Sequence, residues 1–214
     1  IMCLAIVFVA VWMSLQSPQQ IDSETTELPS PAQAAITGFL ANVWFLPDEP
    51  LLGFVQIPAG PFTMGSNPAL DRLAYENERW SSNRRQGTVQ IDDFYIGLFE
   101  VTAAQFRVFV AEHPDLANEV PADIQGDMPI TNITWPEALA YARWLQQKLE
   151  NSSDTPEELR SYLAAGGQVS IPSESEWEKA ARGGDGRIFP WGNTPSAELA
   201  NYGSSTMLPV GSRP

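Results

Sequence analysis

Among side chains able to act as nucleophiles or soft metal ligands, the chain offers one cysteine, Cys3, and one histidine, His113. An internal disulfide or a dithiol redox pair needs two thiols, and a zinc site built on Cys and His needs about four such ligands, so the chain can assemble none of these. Cys3 lies in an uncharged apolar run and reads as a small hydrophobe rather than a reactive thiol. His113 precedes Pro114 at the end of a predicted helix and reads as a cap or a solvent-facing ring. Glu174, Glu176 and Glu178 have the residue type of an acid/base pair. Helix-end electrostatics already account for Glu174 and Glu176, so no catalytic residue is assigned. In residues 66–87, Asp71, Glu76 and Glu78 alternate with Arg72, Arg79, Arg84 and Arg85. The functional readings of that stretch are a cation site or a partner surface, and the plain one is a solvated loop with weak local ion pairs.

The element that carries the acidic residues is defined at both ends. In S-I-P-S-E-S-E-W-E-K-A-A-R-G-G (170–184), Pro172 blocks helix upstream, and Ser173 with Glu176 forms a capping box. Arg182 suits the negative end of the dipole, and Gly183 or Gly184 can take the left-handed closing conformation. A helix from Ser173 to Arg182 is predicted, with Trp177, Ala180 and Ala181 as a buried stripe. The F-P-W-G-N that follows (189–193) sets two rings about a fixed φ and predicts a stiff turn. Two further capped helices are expected. One follows Thr102, with Phe106, Phe109 and Val110 inward. The other follows Thr134, with Glu137 in the third position and Ala138, Ala142, Leu145 and Leu149 inward. The alternating F-V-Q-I (54–57) and the F-T-M after Pro58-Ala59-Gly60-Pro61 predict a hairpin, and residues 88–100 return to strand character. Residues 151–168 read as an excursion holding a helix capped by Asp154 and Glu157, with Leu159, Tyr162 and Leu163 inward.

Composition bounds the partners. With 43% hydrophobic residues and seven Trp the chain can build a core, and a formal charge of −14 (sequence pI ≈ 4.3) disfavours nucleic acid and anionic membrane surfaces. Residues 1–15 are apolar and uncharged, and predict a transmembrane anchor or signal segment, with the domain exported or tethered outside the cytoplasm. Residues 16–50 read as a linker rich in Pro, Ser, Thr and acids in its first half, and Phe39, Leu40, Val43 and Trp44 have the spacing of a short amphipathic lead-in. The domain proper is placed at 51–214.

Several of these motifs resemble the formylglycine-generating enzyme (sulfatase-modifying factor) family. They are I-P-S-E-S-E-W-E-K-A-A-R-G-G with F-P-W-G-N, F-V-Q-I-P-A-G-P-F-T-M-G (54–65), F-Y-I-G-L-F-E-V-T-A-A-Q (94–105), Thr134-Trp135 with Ala138, Tyr141 and Ala142, then Ala200-Asn201 and Pro209-Val210-Gly211. The resemblance spans 54–214. It implies an α+β fold related to C-type-lectin-like domains, with short strands, few helices and much irregular chain. It also implies an oxidase that uses copper(I), held by a cysteine pair, and oxygen to convert a sulfatase cysteine to formylglycine. The family's G-N-x-W-E-W run and its cysteine-bearing segment would fall after Pro214, so the copper ligands are absent from these residues and the fragment is expected to be inactive alone. A structural calcium site carries over in part, as Asn201 and the carbonyl of Tyr202. Ser170 and Lys179 depart from the family's usual Arg and aromatic residue. The alternatives to the oxidase are a non-catalytic peptide- or protein-binding module of the same fold and, more weakly, an iron-dependent sulfoxide synthase relative.

Overall fold

The structure, a computed structural model, describes residues 35–213 apart from Glu76, Ser81, Arg84 and Gly203. The apolar run 1–15, with Cys3, lies outside the described residues. Among the described residues no helix is long and apolar enough to cross a membrane. The fold is α+β. Strands β1 (Phe39–Leu40), β2 (Leu46–Pro47), β3 (Phe54–Ile57), β4 (Gly60–Met64), β5 (Gly87–Ile91) and β6 (Phe94–Gly97) precede helices α1 (Ala103–Glu112), α2 (Trp135–Asn151), α3 (Glu157–Ala164) and α4 (Glu174–Arg182).

The expected hairpin between 54–57 and 60–64 does not form. Strand β3 pairs antiparallel with β6, Phe54 opposite Gly97, and β4 pairs antiparallel with β5, Gly60 opposite Ile91. The two strand pairs therefore form one long bent ribbon, closed at its far end by loop 65–86. Its bend falls where Pro58-Ala59 faces Asp92-Asp93. Proline has no amide hydrogen to give to a ladder, so the ladder breaks at the bend instead of reversing there.

The three capping boxes are present as the spacing required. Thr102 with Gln105, Thr134 with Glu137, and Ser173 with Glu176 each exchange side-chain and backbone hydrogen bonds. Helix α3 differs from expectation: Pro156, not Asp154, stands at its N-cap, and no side chain caps it. The pyrrolidine ring fixes φ at −55°, close to the helical value, and the preceding Thr155 is spent on α2, its buried hydroxyl donating to Leu149 O (2.7 Å).

The core lies between α1 and α2. Phe106, Phe109, Tyr141 and Trp144 pack ring on ring with centroids 5.3–5.8 Å apart, and Leu145 and Leu149 extend the cluster. Part of the segment placed in the linker up to residue 50 packs on this core, from Leu40 onward. Val43, Phe45 and Leu46 are buried, and Leu52 follows them in. Their placement is enforced from α1, where the Gln105 side chain completes the Thr102 cap and donates to Phe45 O (3.0 Å). The docking expected of Val43 and Trp44 is thus observed, through a single 3₁₀ turn (Ala41–Val43) and left-handed backbone at Trp44, Phe45, Leu51 and Leu52, with φ between 52° and 57°. Such backbone costs about 1 kcal/mol or more per residue and persists here because the buried side chains leave no alternative.

Candidate functional site

Helix α4 lies across the bend of the ribbon, and its two sides do different work. On one side Lys179 is buried (6% exposed), its ammonium donating to two carbonyls beside the bend, Pro58 O (2.6 Å) and Gly60 O (3.1 Å). One turn later Arg182 donates to Gly65 O (2.7 Å) and to Glu178 Oε1 (2.6 Å), while Glu178 accepts from Gly65 N (2.8 Å). Gly65 is fixed here because its φ is +88° and a Cβ would sit 2.1 Å from Arg85 O. A polar ladder of charge-assisted hydrogen bonds thus fastens the family-like W-E-K-A-A-R helix to the M-G of the ribbon.

This arrangement corrects the orientation read from sequence. Trp177 is 62% exposed, not buried, because the face turned to the ribbon is the one bearing Glu178, Lys179 and Arg182. The apolar stripe is real, but it borders a groove. Trp177, Ala180 and Ala181 form one rim of a cleft of about 1070 Å³. The β3–β6 half of the ribbon makes one wall (Phe54, Ile57, Ile96), and α2 and α3 make the facing one (Leu145, Leu149, Leu163). Val169 and Ile171 line it between α3 and α4, and Phe99 lies beyond the end of β6. The charged residues lining it are Glu100 and Glu176, with no basic residue among them. Tyr141 reaches the groove from the core, where burial pushes its phenol well above the ordinary range.

The remaining predicted residues lie elsewhere. Glu174 is exposed, Glu176 is used by the Ser173 cap and Glu178 by Arg182, so the three carboxylates do not converge as an acid/base pair. His113 ends α1, its amide bonded to Phe109 O and its ring 5.9 Å from the Phe109 ring, as the capping reading required. Asn201 is exposed and donates through its side-chain nitrogen to Thr206 O (2.9 Å), and Tyr202 beside it is exposed too. Calcium takes about six to eight oxygens, of which the Asn201 side chain and the Tyr202 carbonyl would supply two. The dithiol copper(I) chemistry implied by the resemblance does not fit these residues, since the sequence has a single cysteine. In the F-P-W-G-N turn Phe189 and Trp191 stack 5.3 Å apart with planes 5° from parallel, and Gly192 takes φ 133°.

Sequence reasoning missed the groove. Its walls come from five separate stretches, and no single periodicity announces them. The one available signal was Lys179, a departure from the family's aromatic residue, since a lysine at that place on α4 marks the polar side.

The family profile described as Sulfatase-modifying factor enzyme 1-like domain matches residues 46–212, and the chain belongs to this family. Among curated proteins it is similar to hercynine oxygenase of Mycolicibacterium smegmatis (29% identical; 75% of this chain and 40% of that protein). It is also similar to formylglycine-generating enzyme of Bos taurus (28%; 72% and 46%) and to inactive C-alpha-formylglycine-generating enzyme 2 of Bos taurus (27%; 74% and 58%). The chain thus spans about half the length of the curated relatives it matches. A crystal structure of CarF covers 75% of this chain and 72% of its own at 20% identity, with a TM-score of 0.49.

Proposed function

We propose that the chain acts on polypeptide as a member of the formylglycine-generating type, receiving an extended segment of a sulfatase-like client in the groove between the β3–β6 ribbon and α2–α4. The observation that carries this reading is the groove itself. It is apolar on facing walls, bordered by a two-stranded ribbon that can accept a further strand, and charged only by carboxylates. Those features suit an extended segment of apolar residues with an arginine in it, as in a C-x-P-x-R peptide. Trp177 on the rim supplies a rigid aromatic surface of the kind that anchors peptides. Export or membrane tethering through residues 1–15 belongs to the same reading. Oxidation of the client cysteine requires a thiolate pair that these residues do not hold, so binding is the step assigned to them.

A second reading, a binding module without catalysis, is favoured by the likeness to a relative named inactive. The weaker reading, an iron-dependent sulfoxide synthase relative, is supported by the likeness to hercynine oxygenase, and the one histidine of these residues, at a helix end against Phe109, adds nothing to it. The experiment for the first reading is fluorescence anisotropy of a labelled C-x-P-x-R peptide titrated with the 214-residue chain. Saturable binding that weakens with Trp177→Ala and with Glu100→Gln supports it, and binding indifferent to both substitutions sinks it.

A further inference from the structure

We propose that Tyr95, Glu158 and Tyr162 form a latch that closes one end of the groove and limits the length of polypeptide it receives, an inference that rests on the groove reading above. Tyr95 stands on β6, in one wall, while Glu158 and Tyr162 are one turn apart on α3, in the facing wall. The Tyr95 hydroxyl donates to Glu158 Oε1 at 2.6 Å, and the Tyr95 and Tyr162 rings meet edge to face with centroids 5.1 Å apart. Both rings line the groove, so their contact joins its two walls at the start of β6. Between Tyr95 and Glu100, the carboxylate at the other end of the strand side, extended chain rises about 17 Å, room for roughly five residues.

The latch is built to hold and to open. The hydrogen bond to Glu158, with partial desolvation, pushes the Tyr95 phenol up to about 12, so the donor keeps its proton throughout the neutral range. The bond faces solvent, where a single hydrogen bond contributes little net free energy, so opening is thermally accessible. The α3 segment is anchored to α2 at its start by Thr155 and Leu159, and it closes at Gly166 (φ +100°) with Gly167 N bonded to Tyr162 O. Beyond Tyr162, Leu163 and Val169 pack against the core and Val169 N bonds to Gln146 Oε1, so the latch opens by parting Tyr95 from Glu158 and Tyr162 and not by a swing of the whole helix.

The test titrates the 214-residue chain with two labelled peptides of alternating Val and Thr with one Arg, of about four and about eight residues. Tyr95→Ala should tighten the longer peptide roughly three- to tenfold and leave the shorter one within about twofold. Equal changes for both peptides, or no change for either, overturn the latch. If neither peptide binds, or if Trp177→Ala weakens neither, the groove reading fails instead, and amide hydrogen exchange of the unliganded chain then decides the latch. Tyr95→Phe should speed exchange in residues 157–164 roughly three- to tenfold, and unchanged exchange there overturns it.

Discussion

At the scale of single residues, burial and pairing separate side chains that the sequence presents as equals. Trp177 and Phe109 are both large aromatics at core-like helical spacing, yet Phe109 is 0% exposed and Trp177 mostly open. Phe109→Ala should therefore cost about 3–5 kcal/mol and Trp177→Ala under about 1 kcal/mol in urea unfolding. Comparable large losses would put Trp177 back in the core. Glu137 offers the electrostatic counterpart. Its carboxylate accepts from the Thr134 hydroxyl and amide and from the Asn118 amide and side chain, and these bonds hold it below the ordinary carboxylate range against its own burial. Because its folded pKa is depressed, its stabilisation is complete above the unfolded carboxylate's pKa and is lost as pH falls through the lower folded value. Glu137→Gln should accordingly destabilise at pH 7 and flatten the fall in stability below about pH 5, measured as unfolding midpoint against pH. A parallel downward displacement at all pH values would deny Glu137 that role.

At the scale of elements, what was legible in the sequence was whatever a few neighbouring residues decide. Three capping boxes fix the starts of α1, α2 and α4 because cap and partner lie three residues apart, and Gly183 at φ 66° ends α4 where expected. Pairing partners were not legible. F-V-Q-I and F-T-M are separated by a turn-like P-A-G-P, and only the residues opposite, 23 to 43 positions away in sequence, reveal that each half pairs elsewhere. Nor was the face of α4. Its apolar stripe suggested burial, but two carbonyls beside the ribbon's bend accept from α4, and Lys179 with its apolar stem supplies the donor that an aromatic ring would not. Lys179→Met keeps the stem and removes the donor. It should cost about 2–3 kcal/mol, against about 1 kcal/mol for Ser173→Ala at the cap, both read from chemical denaturation. A neutral Lys179→Met would mean that the bend carbonyls find another partner and that α4 is held by Arg182 and Glu178 alone.

At the scale of the whole molecule, family membership and the chemistry of these residues separate. The motifs that identify the family are positional: caps, the bend, the stiff aromatic turn and the Arg182–Gly65–Glu178 ladder place elements around a groove, and none of them transfers an electron. Copper(I)–dithiol oxidation needs two thiolates within bonding distance, whereas the sulfur nucleophiles of this chain number one, Cys3, well upstream of the described domain. The 214 residues should therefore bind Cu(I) no more tightly than a single-thiol control, and should leave a C-x-P-x-R peptide unconverted. The measurement is mass spectrometry of the peptide after incubation with the chain, copper, oxygen and a thiol reductant, beside the same mixture without protein. Protein-dependent loss of the thiol with appearance of the aldehyde would place an oxidising site among these residues. If the peptide is bound but returned unchanged, binding and oxidation are separable, and the groove can be studied as a recognition surface in its own right.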